Sequence, residues 1–438
     1  MLKDSFCPSP WFHLRLQHNG DYKECRWFKI SHTNNRTLGI ANTSIMQFYN
    51  SDYMKSMRND LLNGQRPAGC ANCYYSDNFD KLSGRRRQFL KSGINEKHFE
   101  LSVISSPHYT EFLHSLENQG HSRMAPVDLQ IDLGNTCNGA CIMCNPMSSS
   151  RLAADFVKLH KIKPEIFYEP PNRESWIHNP DLVKKFAEDL TSIPGVKYIH
   201  FLGGETLFID AFYTLCEQLI AAGLAKNVIV GTTTNGSIYD ERIEKIISEF
   251  KEFHLGLSIE SVTALNDYVR YPANTTQVLE NFDKFFKLRE TTGLHVSLRI
   301  TPNIFTIYEL DRMFGYMIEN NVIAESCDIL ADPDCLLVEL IPDDIRQEIL
   351  DKIDTVIDKY SMNKTYVTNP RRNDLVHRAI ADVIVDYRNF IANFSRPDNV
   401  EQLRYKLVDF LKSFESLRGN SIIDHAPRYK DFLRSYGY

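Results

Sequence analysis

Nowhere in the 438 residues do about 18 apolar residues follow one another, so no membrane-spanning helix is expected. The N-terminal residues 1–16 lack the uninterrupted apolar core of a secretory signal, which points to a cytoplasmic protein. Positive charge is in short supply as well. Fifty Lys and Arg face 56 Asp and Glu, a net charge of -6, which argues against a chain that coats nucleic acid or anionic membrane. Internal repeats and low-complexity tracts are missing. The 14 histidines form no H-x-x-E-H or H-E-x-x-H spacing, which removes those helical metal signatures. The remaining composition, 43% hydrophobic and 24% charged, is that of a globular protein long enough for two or three domains.

What the chain does have is cysteine, ten in all. A reducing compartment makes a disulfide framework a poor explanation. Seven of the ten stand in tight or patterned positions, and that arrangement points to metal.

Three zones follow from the pattern. Residues 1–125 mix turn signals, at 18–21 and 34–36, with Cys7, Cys25, Cys70 and Cys73. Residues 126–345 repeat a short apolar strand and then a helical stretch. Strands are expected at 128–133, 198–202, 228–233, 254–259 and 295–300, with a weaker one at 322–330. Such alternation implies parallel βαβ units, and six of them suit an α/β fold of the partial (β/α)6 barrel type. Chemistry in such a barrel collects at the strand C-terminal ends. The proline-bearing stretch 161–179 reads as an irregular insertion. Residues 346–438 form a helical segment. Val376, Ile380, Val383, Tyr387 and Ile391 share one helix face, as do Leu403, Leu407, Phe410, Leu411, Phe414 and Leu417, with Gly419 as a stop.

The first barrel strand runs directly into Cys137-Asn138-Gly139-Ala140-Cys141-Ile142-Met143-Cys144. Three thiolates come from one loop, and no fourth Cys or His lies nearby, whereas structural zinc wants four ligands. On a four-iron cluster, three thiolates leave one iron open to an outside ligand.

At these residues the sequence resembles the radical S-adenosylmethionine superfamily. The second strand ends in Gly203-Gly204-Glu205, similar to that superfamily's GGE loop. The third ends in Thr234-Asn235-Gly236 and the fourth in Ser258-Ile259-Glu260-Ser261, each similar to a strand-end motif of the family, in the expected order. The resemblance implies a 4Fe–4S cluster on Cys137, Cys141 and Cys144 that binds and reductively cleaves S-adenosylmethionine. It also implies a low-potential electron donor, a flavodoxin or ferredoxin. Gly203 and Gly204 would let backbone approach the ligand, and Glu205 would accept from the cofactor's ammonium. Ser258 and Arg270 are candidate carboxylate or ribose contacts, and Thr234 and Asn235 candidate pocket walls. Met143 stands where the family often has an aromatic residue near the adenine.

The N-terminal zone is similar to the twitch (half-SPASM) auxiliary-cluster module, on Phe6-Cys7, Pro10-Trp11-Phe12-His13, the Asn19-Gly20-Asp21 hairpin and Gly69-Cys70-Ala71-Asn72-Cys73-Tyr74. The tail, 410–419 with Pro427, looks like the same group, so the resemblance covers nearly the whole chain. It implies an auxiliary 4Fe–4S cluster on Cys7, Cys25, Cys70 and Cys73, with zinc or reduced thiols as alternatives. Cys25-Arg26 stands where two adjacent cysteines are frequent, which leaves the ligand set open.

Several residues are set against simpler readings. Arg85-Arg86-Arg87 would suit an anionic substrate, but a solvated run is the simpler account. Cys216 reads as helix core, and Cys327 or Cys335 as buried thiols or as hydrogen donors to a product radical. His13 and His18 are candidate cluster ligands, although hairpin histidines usually are not. The twitch resemblance favours a peptide or protein substrate, with a separate peptide-recognition partner if needed; a sugar or nucleotide is the alternative. A non-catalytic electron carrier is the reading from another class, and it would have no use for the GGE-like and TNG-like loops.

Overall fold

The structure, a computed structural model, describes residues 5–28, 38–77, 83–92, 108–160, 175–324, 327–360, 366–367 and 378–438. Seven strands form one sheet: β1 (His13–Leu16), β2 (Tyr22–Lys23), β3 (Asp128–Asp132), β4 (Tyr198–Leu202), β5 (Ile229–Thr234), β6 (Glu252–Ser258) and β7 (Leu294–Arg299). Their order is β2-β1-β3-β4-β5-β6-β7, and every neighbouring pair is parallel except the β1–β2 hairpin.

The alternation in each strand assigns its faces. In β6, Phe253, Leu255 and Leu257 are buried, with His254, Gly256 and Ser258 on the opposite face. Amphipathic helices follow the strands, including Pro180–Ser192 after a capping Asn179 and Glu241–Glu249 after a capping Asp240. The result is a partial (β/α)6 TIM-like barrel. Its loops at the strand C-terminal ends gather at one mouth.

Two features depart from the expected strand set. The sixth strand, expected at 322–330, reduces among the described residues to one parallel bridge between Leu298 and Ala324. Farther along, the Asp328 carbonyl accepts from the Tyr387 hydroxyl at 3.4 Å, a partner outside any sheet. The opposite edge gains strands instead. β1 pairs in register with β3, from His13 opposite Asp128 to Leu16 opposite Ile131. The N-terminal zone therefore shares the barrel sheet, while also holding a small core of its own around Phe6, Trp11, Phe89 and Phe112.

The C-terminal helices Asp343–Tyr360, Ile380–Asn393 and Val400–Arg418 join the barrel core through Ile353, Val383, Tyr387, Leu407 and Leu411. Val376 lies outside the described residues. Gly419, in the left-handed region at φ +70°, ends the last of these helices as expected. Of the stretch 161–179 only the last five residues are described; there Trp176 is buried against Phe186. No described helix is long and apolar enough to cross a membrane.

Candidate metal and cofactor site

Beyond β3 the three-cysteine loop is held by backbone and side-chain hydrogen bonds together. The Ala140 N–H donates to Tyr271 O (2.6 Å) and the Ile142 N–H to Val269 O (2.9 Å), tying the loop to the segment that follows β6. Ser149 Oγ donates to Gly139 O at 2.6 Å, and the Glu205 N–H to Thr136 O at 3.0 Å. Asn138 accepts from Asn235 Nδ2 and donates to Ser237 Oγ, each at 2.8 Å.

These constraints bring Cys137, Cys141 and Cys144 to one cleft, lined also by Gly203, Gly204, Glu205, Thr234, Asn235, Ser258 and Arg270. No further Cys or His is among its lining residues. Burial pushes the Cys137 thiol up to about 12 and Cys144 to about 11. Cys141 is also raised by burial, against the downward pull of the Arg270 charge. Buried thiols of this kind ionise when they meet a cation, as metal ligation requires.

Gly204 explains the double glycine. A Cβ built there would lie 2.5 Å from Thr136 O and 2.7 Å from Cys137 Cβ. The tight approach at this position is to the cysteine loop itself. Glu205 is buried and already occupied: Oε1 accepts from Thr234 Oγ1 (2.7 Å) and the Leu207 N–H (3.1 Å), and Oε2 from the Asn235 N–H (2.5 Å). Arg270 Nη1 donates to Glu260 Oε1 at 2.8 Å, and Glu260 Oε2 accepts from the Thr301 N–H at 2.6 Å.

Residues 131–303 match the family model described as the Radical SAM superfamily. They belong to the radical SAM superfamily. Among solved structures, Streptococcus suis SuiB bound to S-adenosylmethionine is 13% identical at a TM-score of 0.34, covering 84% of this chain and 73% of that one. SuiB bound to precursor peptide SuiA is 12% identical at 0.35, over 69% and 62%. The anSMEcpe structure with bound AdoMet is 17% identical at 0.38, over 55% and 61%. The chain thus spans less than two thirds of the last two. No curated protein matches the chain.

Outside the matched radical SAM segment, Cys7, Cys25, Cys70 and Cys73 line a second, small cavity with Trp27, Phe28, Tyr74 and Arg85. Burial raises all four thiols, Cys7 to about 12. A Cβ on Gly69 would fall 2.3 Å from the Phe28 ring, so the wall of this cavity needs glycine before Cys70. Arg85 departs from the solvated-run reading. It is held by Asp77 (2.7 Å) and Phe6 O (3.2 Å), because its helix, Gly84–Lys91, starts at the cavity rim. Arg87 is exposed.

Other expected residues lie elsewhere. Met143 is half-buried against the main core and is not among the cleft-lining residues. Cys216 and Cys335 are buried in that core, and Cys327 packs at its edge; none lines the cleft. His13 meets Asp128 at 3.3 Å, and the His18 carbonyl accepts from Ser175 Oγ; neither His lines the four-cysteine cavity.

One residue escaped the sequence reading. Arg418, at the end of the last long helix, donates from Nη2 to Ala140 O (2.7 Å) and Asp155 Oδ2 (2.9 Å). Its guanidinium lies 4.6 Å from the Tyr271 ring and 4.5 Å from Phe414. No local signal marks it, since its partner is 278 residues away.

Proposed function

We propose that this radical SAM enzyme holds a 4Fe–4S cluster on Cys137, Cys141 and Cys144, with one iron left for S-adenosylmethionine, and modifies a peptide or protein. The carrying observation is that the three thiols share one cleft with the strand-end residues of β4, β5 and β6. The donor set fits the group: three thiols line one cleft together with polar residues. When bound, cluster and cofactor together supply a 5′-deoxyadenosyl radical that abstracts a substrate hydrogen atom.

The chain's own residues orient the cofactor. A carboxylate has about four acceptor sites, two per oxygen. Glu205 Oε1 is filled by Thr234 and Leu207, and Oε2 has one site left beside Asn235. That site fits a single N–H of the cofactor's ammonium. Arg270, 13% exposed and anchored by Glu260, has further donors for its carboxylate. Gly204 lets the loops of β3 and β4 touch without a side chain between them.

We assign an auxiliary cluster to Cys7, Cys25, Cys70 and Cys73, supported by the four thiols lining one cavity and by the twitch-like sequence around them. A closed four-thiol set also suits zinc. The peptide reading rests on the same likeness, with a flavodoxin or ferredoxin as electron donor.

Anaerobic reconstitution with iron, sulfide, reductant and S-adenosylmethionine is the test. 5′-Deoxyadenosine should form, and Cys141→Ala should abolish it. An intact cluster that yields none of this product ends the enzymatic reading. Iron should number about eight per chain with two four-iron clusters, and about four if zinc fills the N-terminal cavity. A peptide substrate is tested by deuterium transfer into 5′-deoxyadenosine from deuterated candidate peptides; transfer only from a sugar or nucleotide overturns it.

A further inference from the structure

At the other end of the barrel, Glu252, His254 and His295 present side-chain ligand atoms that all lie within 4.8 Å of one another. The strand register creates this group. His254 on β6 stands directly opposite His295 on β7, and Glu252 lies two residues earlier on the same face of β6. The intervening Phe253 and the flanking Leu294 and Val296 turn to the helix layer and are buried. Glu252 Oε1 is in close contact with His254 Nε2 and 3.6 Å from His295 Nε2.

We propose that Glu252, His254 and His295 form a binding site for a zinc-class divalent cation. Two imidazoles and one carboxylate are the donor types that borderline first-row cations prefer, and the carboxylate leaves a net charge of about +1 on the bound ion. Donors held about 2.1 Å from a tetrahedral ion lie about 3.4 Å apart, close to the 3.6 Å between Glu252 Oε1 and His295 Nε2, and the closer Glu252–His254 pair has to open to admit the ion. His295 is 44% exposed, which provides an entry path and room for a water as fourth ligand. The site is separate from the cysteine cleft. Ser258, the β6 residue that lines the cleft, is four residues beyond His254, about 13 Å at strand rise.

The position suggests what the ion does. Among the described residues, β7 is the last full strand of the sheet, with the bridge at Ala324 beyond it. An ion shared by β6 and β7 ties that open edge at its N-terminal end, where no cofactor is needed. It acts as a staple, and its effect is on stability.

The test uses the full chain after anaerobic cluster reconstitution and desalting, equilibrated with Zn²⁺ alone and then analysed for zinc and iron. Wild type should hold about one zinc per chain more than His295→Gln, with equal iron in both, since both keep all ten cysteines. Zinc at 100 times its Kd should raise the melting temperature of wild type and leave that of His295→Gln unmoved. Glu252→Gln should weaken zinc binding at least tenfold. His295 is half-exposed, so its variant should melt with wild type when zinc is withheld; Glu252→Gln serves as the second variant if it does not. Equal zinc in wild type and both variants overturns the proposal, as does zinc uptake with no shift in melting.

Discussion

Replacing Arg418 by Met should loosen the three-cysteine loop, although residue 418 does not line the cleft. The guanidinium is 3% exposed and its partner Asp155 13%. Removing it deletes a charge-assisted bond to Ala140 O and leaves a buried carboxylate without its cation. Breaking a buried pair from one side costs about 3–5 kcal/mol, and the residual exposure of Asp155 places this case at about 3 kcal/mol. With an unfolding entropy of about 2.1 cal/mol/K per residue over the chain, that is a fall in Tm of about 3 °C. Adding Asp155→Asn removes the lone charge, and the double variant should recover at least half of the loss. The assay pairs thermal melts with hydrogen exchange at Ala140 and Ile142, whose N–H groups bond Tyr271 O and Val269 O. Their exchange should quicken in the single variant more than that of the β5 and β6 amides. A melt within about 1 °C of wild type, or no recovery in the double variant, would refute the clamp.

Four further outcomes are expected. Gly204→Ala drives a methyl against Thr136 O and Cys137 Cβ, so iron on the loop cluster should fall severalfold while circular dichroism stays unchanged; full iron with normal 5′-deoxyadenosine formation contradicts this. Gly69→Ala displaces Phe28 from the N-terminal cavity and should cost about four of about eight irons, with 5′-deoxyadenosine formation from the other cluster retained, as iron analysis and product assay would record. Arg270→Gln should weaken S-adenosylmethionine binding at least tenfold in equilibrium dialysis, about 1.4 kcal/mol, with an unchanged affinity arguing that the guanidinium serves Glu260 alone. Cys216→Ala, in the core of the helix Asp210–Ala221, should lower stability by about 1 kcal/mol and leave the iron count untouched.

The strands were legible because each carries its own signal. The expected 198–202 and the observed Tyr198–Leu202 coincide, and 128–133, 228–233 and 295–300 fall within a residue or so of β3, β5 and β7. The loops at their ends were legible for the same reason: Cys137 to Cys144 and Gly203 to Glu205 are contiguous, and the parallel topology delivers them to one mouth. The sixth strand was not, because a short apolar run at 322–330 does not say whether it finds a partner. The pairing of β1 with β3 was invisible too. His13–Leu16 reads as half of a hairpin, and the choice of Asp128–Ile131 as its second neighbour is made across more than 100 residues of chain.

The deepest gap between sequence and site concerns the tail. Leu403, Leu407, Leu411 and Phe414 announce a packed helix, and Gly419 announces its end, so the helix was expected to supply a core face. A buried face, however, fixes where the helix ends as well as where it lies. Phe414 is set against Phe156 of the helix that follows the cysteine loop, and Arg418 stands one turn farther on. At that point a long cation can reach the Ala140 carbonyl. Packing between apolar residues thus decides where a single guanidinium arrives. The loop that presents the three thiols is completed by a residue whose type is ordinary and whose importance comes from its address.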